Sequence, residues 1–251
     1  MTTLKISSQI RYWDQSPTRK ISNTDRHGRT IEVAYFPLVQ FTGLSKHYPL
    51  PLIFSYKNNN LYLPLREKFM SLERGTIYEV GDMTFEGELP QVQKTVDVPM
   101  FYFVYNMANY YHFIYDTLPY LFSYFNEKKI HPDMKLPVSP PEGQDNLYPF
   151  VWDSLNMLGI TKDDVVFLDP EVMYNRVCVS SSLTHNGLSN CPPHRGVFDT
   201  LNSMESDYVG PEKIYISRRT WVHNKKDNIG TDYTERRRCV NEDQVVQIFK
   251  L

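Results

Sequence analysis

A histidine and an aspartate lie one helical turn apart in the segment YNMANYYHFIYDTLPYLF, residues 105–122, and they are the side chains best suited to chemistry. His112 and Asp116 occupy positions i and i+4, a spacing that brings two side chains into contact on a helix. A carboxylate beside an imidazole orients the ring and stabilises its charged form, so the pair is suited to proton transfer. The same spacing also occurs on solvated helix faces, and that alternative predicts no chemistry.

The segment around this pair has the periodicity of an amphipathic helix over about residues 110–128. Its apolar stripe consists of Ile114, Leu118, Leu121, Phe122 and Phe125, and the opposite side carries His112, Asp116, Tyr120 and Ser123. Pro119 has no N–H for the carbonyl of Tyr115, which predicts a kink just beyond Asp116. An apolar run at residues 98–105 precedes the helix, so the pair follows a strand, where open α/β sheets bind their ligands.

Residues 218–238 carry a net positive charge, whereas the net charge of the whole chain is negative. The basic side chains of this segment are Arg218, Arg219, His223, Lys225, Lys226, Arg236, Arg237 and Arg238, against Asp227, Asp232 and Glu235. Guanidinium groups bind phosphate bidentately, and Asn241 predicts a helix N-terminus that would add to the positive field. We therefore expect a diphosphate to bind here. The alternative is a solvated loop with surface ion pairs.

The order of predicted elements indicates an α/β protein. Residues 1–95 form a β-rich region, with strands expected at 30–38 and 60–65 and a strand-turn-strand at 75–88. Residues 96–208 alternate strands and helices, with helices at 148–158 and 197–205 and strands at 164–168 and 177–179. Such alternation predicts βαβ units and a mostly parallel sheet. The polar segment 206–213 marks a boundary, and residues 209–251 read as the start of a further domain, with a strand at 214–216 and a helix from residue 242.

Composition excludes several classes of function. The net charge of −2 and the pI of about 6.4 give no electrostatic basis for a nucleic-acid partner. The three cysteines are scattered and form no C-x-x-C pair, so neither a disulfide framework nor a zinc site is supported. No long apolar run occurs and the first residues lack a signal-peptide core, which predicts no integral membrane segment and a cytoplasmic location.

Several common catalytic motifs are missing. The sequence contains no G-x-G-x-x-G, Walker A or G-x-S-x-G pattern. No D-x-D pair is present to hold a metal-bound nucleotide, and Asp163-Asp164 is better interpreted as a helix-to-strand turn. His185 and His194 flank Cys191, but loop packing is favoured over a metal site for these three. No metal or other cofactor is therefore expected.

Two motifs together resemble glycosyltransferase family 61. The segment NMANYYHFIYDTLPYL is similar to its N-x-x-H-F-x-x-D-x-L-P-x-L signature, and KIYISRR followed by RRRCVNEDQVV is similar to its later I-Y-I-S-R-R … R-R-x-x-N-E-x-E block. The resemblance covers roughly residues 95–251. It implies a GT-B-like fold of two Rossmann-like domains, here with a β-rich N-terminal extension, and inversion at the anomeric carbon, usually without a metal.

The resemblance also implies roles for individual residues. Either Asp116 or His112 would be the general base, and we favour Asp116, with His112 orienting the acceptor or contacting phosphate. Asn106 or Asn109 would hold the turn or a sugar hydroxyl, and Tyr120 would lie in the same acceptor or turn region. The donor phosphates and sugar would be bound by Arg218, Arg219, Arg237, Arg238, Asn241 and Glu242.

The activity that the resemblance implies is transfer of a sugar from a nucleotide-sugar, with a UDP-sugar as the expected donor, to a glycan hydroxyl in polysaccharide, capsule or glycoprotein glycan biosynthesis. Members of the family continue beyond the position of Leu251, so we expect only the start of the second Rossmann-like domain. The alternative is a non-catalytic glycan-binding or scaffolding remnant of such an enzyme.

Overall fold

The computed structural model describes residues 3–11, 18–22, 30–42, 51–62, 70–71, 76–77, 84–104, 107–141, 143–184 and 193–204. The chain divides into two compact units, Met1–Ser206 and Asp207–Leu251, and all described residues belong to the first. The strand predicted at 214–216, the basic segment at 218–238 and the helix predicted from residue 242 lie outside the described residues.

Thirteen strands are found in the described part of the chain. They are β1 Thr3–Arg11, β2 Arg19–Lys20, β3 Glu32–Phe41, β4 Ile53–Ser55, β5 Asn60–Tyr62, β6 Met70–Ser71, β7 Thr76–Ile77, β8 Thr84–Pro90, β9 Lys94–Val96, β10 Met100–Phe101, β11 Leu136–Val138, β12 Val165–Phe167 and β13 Val172–Ser180. Four α-helical segments accompany them: α1 Tyr110–His112, α2 Leu121–Lys128, α3 Pro149–Met157 and α4 Arg195–Asn202. The protein is therefore of mixed α/β class, as expected, with more sheet than helix.

Nine strands form one mixed sheet in the order β10-β13-β3-β4-β5-β1-β8, with β2 paired to β3 and β9 paired to β13. Its centre is the antiparallel pair of β3 and β13, which is in register over seven residue pairs from Met173–Gln40 to Ser180–Val33. β3 precedes and β13 follows the boundary predicted at residues 95 and 96. Strands from both sides of that boundary thus share one sheet.

The prediction of a mostly parallel sheet is wrong for the described strands, because six of their ten pairings are antiparallel. A parallel βαβ unit is present where β11 leads through α3 to β12. Only residues 168–171 then connect β12 to β13, too short a link for a parallel crossover between neighbours. β13 instead pairs with β10 and, antiparallel, with β3.

The strand-turn-strand predicted at residues 75–88 is also not formed as a hairpin. β7 pairs with β6, whereas β8 pairs with β1 over seven residue pairs. The nine residues of β1 offer β8 a longer antiparallel ladder than the two residues of β7 could. Because every added ladder position contributes hydrogen bonds and cross-strand contacts, the distant partner is preferred.

The apolar run at 98–105 is explained by burial on both faces of the sheet. Phe101 and Phe103 belong to a core beneath the helices, while Met100, Tyr102 and Val104 belong to a second core on the opposite face. This alternation is the period of two expected for a strand. All five side chains are at most 2% exposed, so the chain that leads to His112 starts from a rigid base.

The helices pack against the first of these cores. α3 begins after Tyr148 and ends at Met157, and Gly159 follows its C-cap Leu158 with a φ of +72°, which confirms the helix predicted at 148–158. α4 approaches α2 closely at Gly196, where a Cβ atom would lie 2.9 Å from the ring of Phe122 and 2.9 Å from Leu183. The glycine therefore permits the close contact between the two helices, and α4 corresponds to the helix predicted at 197–205.

Candidate functional site

The turn that carries the histidine is held at its start by Asn109. The Oδ1 atom of Asn109 accepts a hydrogen bond of 3.2 Å from the backbone N–H of His112, and its carbonyl accepts one of 2.8 Å from Phe113. This is the pattern of a helix N-cap. Asn109 thus holds the turn, one of the two roles expected for an asparagine here, while Asn106 lies outside the described residues.

The helix then changes its hydrogen-bonding pattern twice. Residues Phe113–Thr117 form a π-helical turn in which the N–H of Leu118 donates to the carbonyl of Phe113, and Leu118–Tyr120 form a 3₁₀ turn that contains Pro119. Proline supplies no N–H for a regular α-helical bond and crowds the preceding turn. The hydrogen bonding is therefore irregular around Pro119, where the sequence predicts a kink, and the kink itself stays a prediction. π-turns of this kind occur frequently at functional sites.

His112 and Asp116 are in direct contact across this turn. Nδ1 of His112 lies 2.7 Å from Oδ2 of Asp116, and the two side chains are 20% and 12% exposed. Phe113 and Thr117, on the buried side of the turn, are fully buried and anchor it to the core. The pair is thus fixed in position, sheltered from bulk water and still reachable from the surface, as a proton-transferring pair requires.

Two residues predicted on the same side as this pair are buried instead. Tyr120 is 4% exposed and lies in the core beneath the helices, and Ser123 is fully buried with its Oγ 2.7 Å from Oγ of Ser180. A π-turn and a 3₁₀ turn advance by different angles from an α-helix, so a uniform helical wheel fails after Thr117. Tyr120 therefore lies in the core rather than on the open surface beside Asp116.

Exposed tyrosines flank the histidine. Tyr110 and Tyr111 are 64% and 61% exposed. The ring of Tyr111 is stacked on that of Tyr115, with centroids 5.7 Å apart and an interplanar angle of 16°. It also meets the ring of His112 edge-on at 5.3 Å. The tyrosine-rich composition of the segment was visible in the sequence, but its exposure was not.

A second cluster of ionisable side chains lies between β3, β13 and α2. Glu127 accepts hydrogen bonds from Arg19 and from the hydroxyl of Tyr35, and the Cys178 thiol lies close to them. Burial, reinforced by nearby Glu127, raises the pKa of Cys178 and of Tyr35 well above their ordinary values. Glu127 is 1% exposed and Cys178 is fully buried, so this cluster joins the elements together from the inside.

The other residues singled out in the sequence either lie outside the described residues or form helix caps and turns. The donor-binding set, Arg218, Arg219, Arg237, Arg238, Asn241 and Glu242, lies outside the described residues, as do His185 and Cys191. His194 is buried, and its Nδ1 accepts a 3.0 Å hydrogen bond from the N–H of Gly196 as the N-cap of α4. Asp163 and Asp164 form a 3₁₀ turn between α3 and β12, which confirms the turn predicted there.

The described ranges show neither a metal-binding cluster nor a membrane-spanning helix. Within them, no group of three or more histidine, cysteine, aspartate or glutamate side chains is arranged to hold a metal ion. None of the helices in the described part of the chain is long and apolar enough to cross a membrane. The expectation of a metal-free site stays a prediction.

The chain matches no protein-family model, no curated protein and no solved structure.

Proposed function

We propose that this protein is an inverting, metal-independent glycosyltransferase that moves a sugar from a nucleotide-sugar, a UDP-sugar in the first instance, to a hydroxyl group of a glycan. The observation that supports the proposal most is the 2.7 Å contact between His112 and Asp116 in a sheltered position beside exposed tyrosines. The motif resemblance around these two residues and around the arginine-rich segment adds to it.

In such a reaction the acceptor hydroxyl attacks the anomeric carbon while the bond from that carbon to the diphosphate oxygen breaks. The bonding electrons leave with the diphosphate, and a general base takes the hydroxyl proton. When Nδ1–H of His112 donates to Asp116, the lone pair of the neutral ring is on Nε2. The geometry thus favours His112 as the base and Asp116 as the group that orients it, the reverse of the order favoured from the sequence.

The donor side of the proposal rests on the sequence. Without a metal, the charge that develops on the leaving diphosphate has to be neutralised by side chains and helix N-termini. Arg218, Arg219, Arg237 and Arg238 would supply that charge, and Asn241 and Glu242 would contact the donor. The parallel β11–α3–β12 unit is compatible with one Rossmann-like domain of a GT-B fold.

The test is a transfer assay with purified protein, using UDP-glucose, UDP-xylose and UDP-N-acetylglucosamine as donors and neutral oligosaccharides as acceptors. His112→Gln and Asp116→Asn should each lower kcat by at least about 100-fold, because each removes part of the proton-transferring pair. Both side chains are partly exposed, so the Tm should change little. Asp153→Asn, a change at an exposed carboxylate on α3, is the matched control and should retain full activity.

The variants also separate the two possible bases. If Asp116→Asn loses activity and His112→Gln retains it, Asp116 is the general base. Turnover at the wild-type rate in both variants would remove the pair from the mechanism. A wild-type protein that binds glycans and neither transfers nor hydrolyses any of the three donors would support the non-catalytic alternative, which the exposed tyrosines also favour.

A further inference from the structure

We infer that Tyr111, backed by Tyr115, is a stacking platform for a neutral pyranose ring of the acceptor glycan. The identification of the sugar as an acceptor rests on the proposed function, whereas the binding of a sugar ring is argued from the surface itself. Tyr110 and Tyr111 are 64% and 61% exposed, so two adjacent large aromatic groups face solvent beside the sheltered polar pair.

The two stacked tyrosines lie next to the proposed catalytic pair on the same turn. Tyr111 and Tyr115 form one i, i+4 row on the turn, and His112 and Asp116 form the adjacent i, i+4 row. Tyr115 covers one face of the Tyr111 ring at 5.7 Å, and His112 meets that ring at 5.3 Å. A ring stacked on the outer face of Tyr111 would therefore lie next to His112, within reach of its imidazole for the hydroxyl that reacts.

The chemistry of the surface favours a sugar. The face of an aromatic ring is electron-rich, and the C–H groups on one face of a pyranose carry partial positive charge, so the two attract each other when stacked. The edge of the platform is polar, because the imidazole of His112 meets the Tyr111 ring there and the Tyr111 ring carries its own hydroxyl group. This combination of an apolar face and a polar edge matches the two kinds of surface that a pyranose presents.

The charge of the surrounding segment argues against a polyanion. Residues 102–127 contain no lysine and no arginine, while Asp116 contributes a carboxylate. Nucleobases also stack on aromatic rings, but proteins that bind nucleic acid combine such rings with a positively charged groove for the phosphates. A neutral glycan requires no such groove, and it is therefore the occupant that this surface fits.

The experiment is saturation-transfer NMR on the whole chain without donor, with methyl β-D-glucopyranoside, methyl β-D-xylopyranoside and cellotetraose as probes. Wild-type protein should transfer saturation most strongly to the ring C–H protons of at least one probe. Tyr111→Ala should weaken its binding about tenfold, whereas Tyr111→Phe, which keeps the ring, should bind within about threefold of wild type. Phe198→Ala removes an exposed ring of similar size, 51% exposed on α4, and should bind like wild type.

Two results would overturn the inference. One is wild-type affinity in Tyr111→Ala, and the other is no saturation transfer from wild-type protein to any of the probes. Asp116→Asn distinguishes this test from that of the proposed function, since it should bind the probes normally and fail in transfer. If the wild-type protein binds the sugars but has no transfer activity, and Tyr111→Ala loses the binding, the platform is supported and the transferase is rejected. If Tyr111→Ala is an active enzyme with a normal KM for the acceptor, the transferase is supported and the platform is rejected.

Discussion

At the scale of single residues, Gly159 shows how one backbone conformation positions a whole segment. Its φ of +72° lies in the left-handed region, and its N–H donates to the carbonyl of Asn156 at the end of α3. Glycine is preferred there because a side chain in this conformation is strained. The chain then turns directly into Thr161 and the 3₁₀ turn that leads to β12.

We expect Gly159→Ala to lower the free energy of unfolding by about 1 kcal/mol, because alanine must adopt the left-handed conformation. Urea unfolding followed by circular dichroism measures this difference. The control is Asn156→Ala at an exposed position of α3, which should be neutral or slightly stabilising, since alanine is the better helix former. Equal stability of Gly159→Ala and wild type would mean that the turn relaxes without strain.

At the scale of elements, an ion pair ties α2 to the turn before β12. Lys128, in the last turn of α2, donates to Tyr124 at 2.9 Å and also to Asp164. Asp164 in addition accepts hydrogen bonds of 3.0 and 3.1 Å from the backbone and the hydroxyl of Thr161. Burial alone would raise the pKa of Asp164, but the hydrogen bonds from Lys128 and Thr161 outweigh it and lower the pKa below its ordinary value.

This lowered pKa predicts an acid-sensitive contribution to stability. The ionised carboxylate is favoured in the folded state, so its contribution is complete above the unfolded pKa of about 4 and is lost as the pH falls through the lower folded value. Asp164→Asn should therefore reduce the free energy of unfolding by about 1 kcal/mol at pH 7, and the difference from wild type should shrink at acid pH. Urea unfolding across the pH range measures both effects.

Asp163→Asn is the matched control, because Asp163 is the exposed neighbour in the same turn. It should change stability little at any pH. If the free energy of unfolding of Asp164→Asn differs from that of wild type by the same amount down to low pH, the amide is merely a poorer turn residue. The ion pair with Lys128 would then contribute nothing to stability.

At the scale of the whole molecule, the pairing of β3 with β13 joins the β-rich region to the part that carries His112 and Asp116. β13 lies between β10 and β3, and β10 leads into the segment that carries the candidate site. Removal of residues 1–95 would expose one edge of β13 along its whole length. It would also uncover Tyr102, Val104 and Tyr174, which share a core with Phe36 and Phe41 of β3.

We therefore expect a fragment of residues 96–206 to remain unfolded, whereas residues 1–206 should unfold in a single cooperative transition. Thermal unfolding followed by circular dichroism, together with the dispersion of amide signals in NMR spectra, measures this. The physical reason is that a sheet edge and a large apolar surface left uncovered cost more than the remaining contacts supply. A cooperative transition in the 96–206 fragment would contradict it and would make the region after residue 95 an independent domain.

Several local features were correctly predicted from the residues alone. These are the contact between His112 and Asp116, α3 with the Gly159 that follows it, and the turn at Asp163 and Asp164. All depend on residues within about one or two helical turns of one another. The burial of Tyr120 was missed, because a wheel with constant angle does not anticipate a π-turn.

What the sequence by itself determined about this protein is a part of its local elements, α3 and the turn before β12 among them, and the pair of residues suited to proton transfer. Hydrogen bonds and periodicity within a short segment specify both. Only the tertiary structure decided that β3 pairs with β13, that β8 pairs with β1 rather than β7, and that Tyr111 is exposed beside His112. These features depend on contacts between residues far apart in the chain. The residue pattern of a strand indicates which of its faces is apolar. Its partner is selected by the number of residues that each candidate can pair and by the apolar area that the pairing buries.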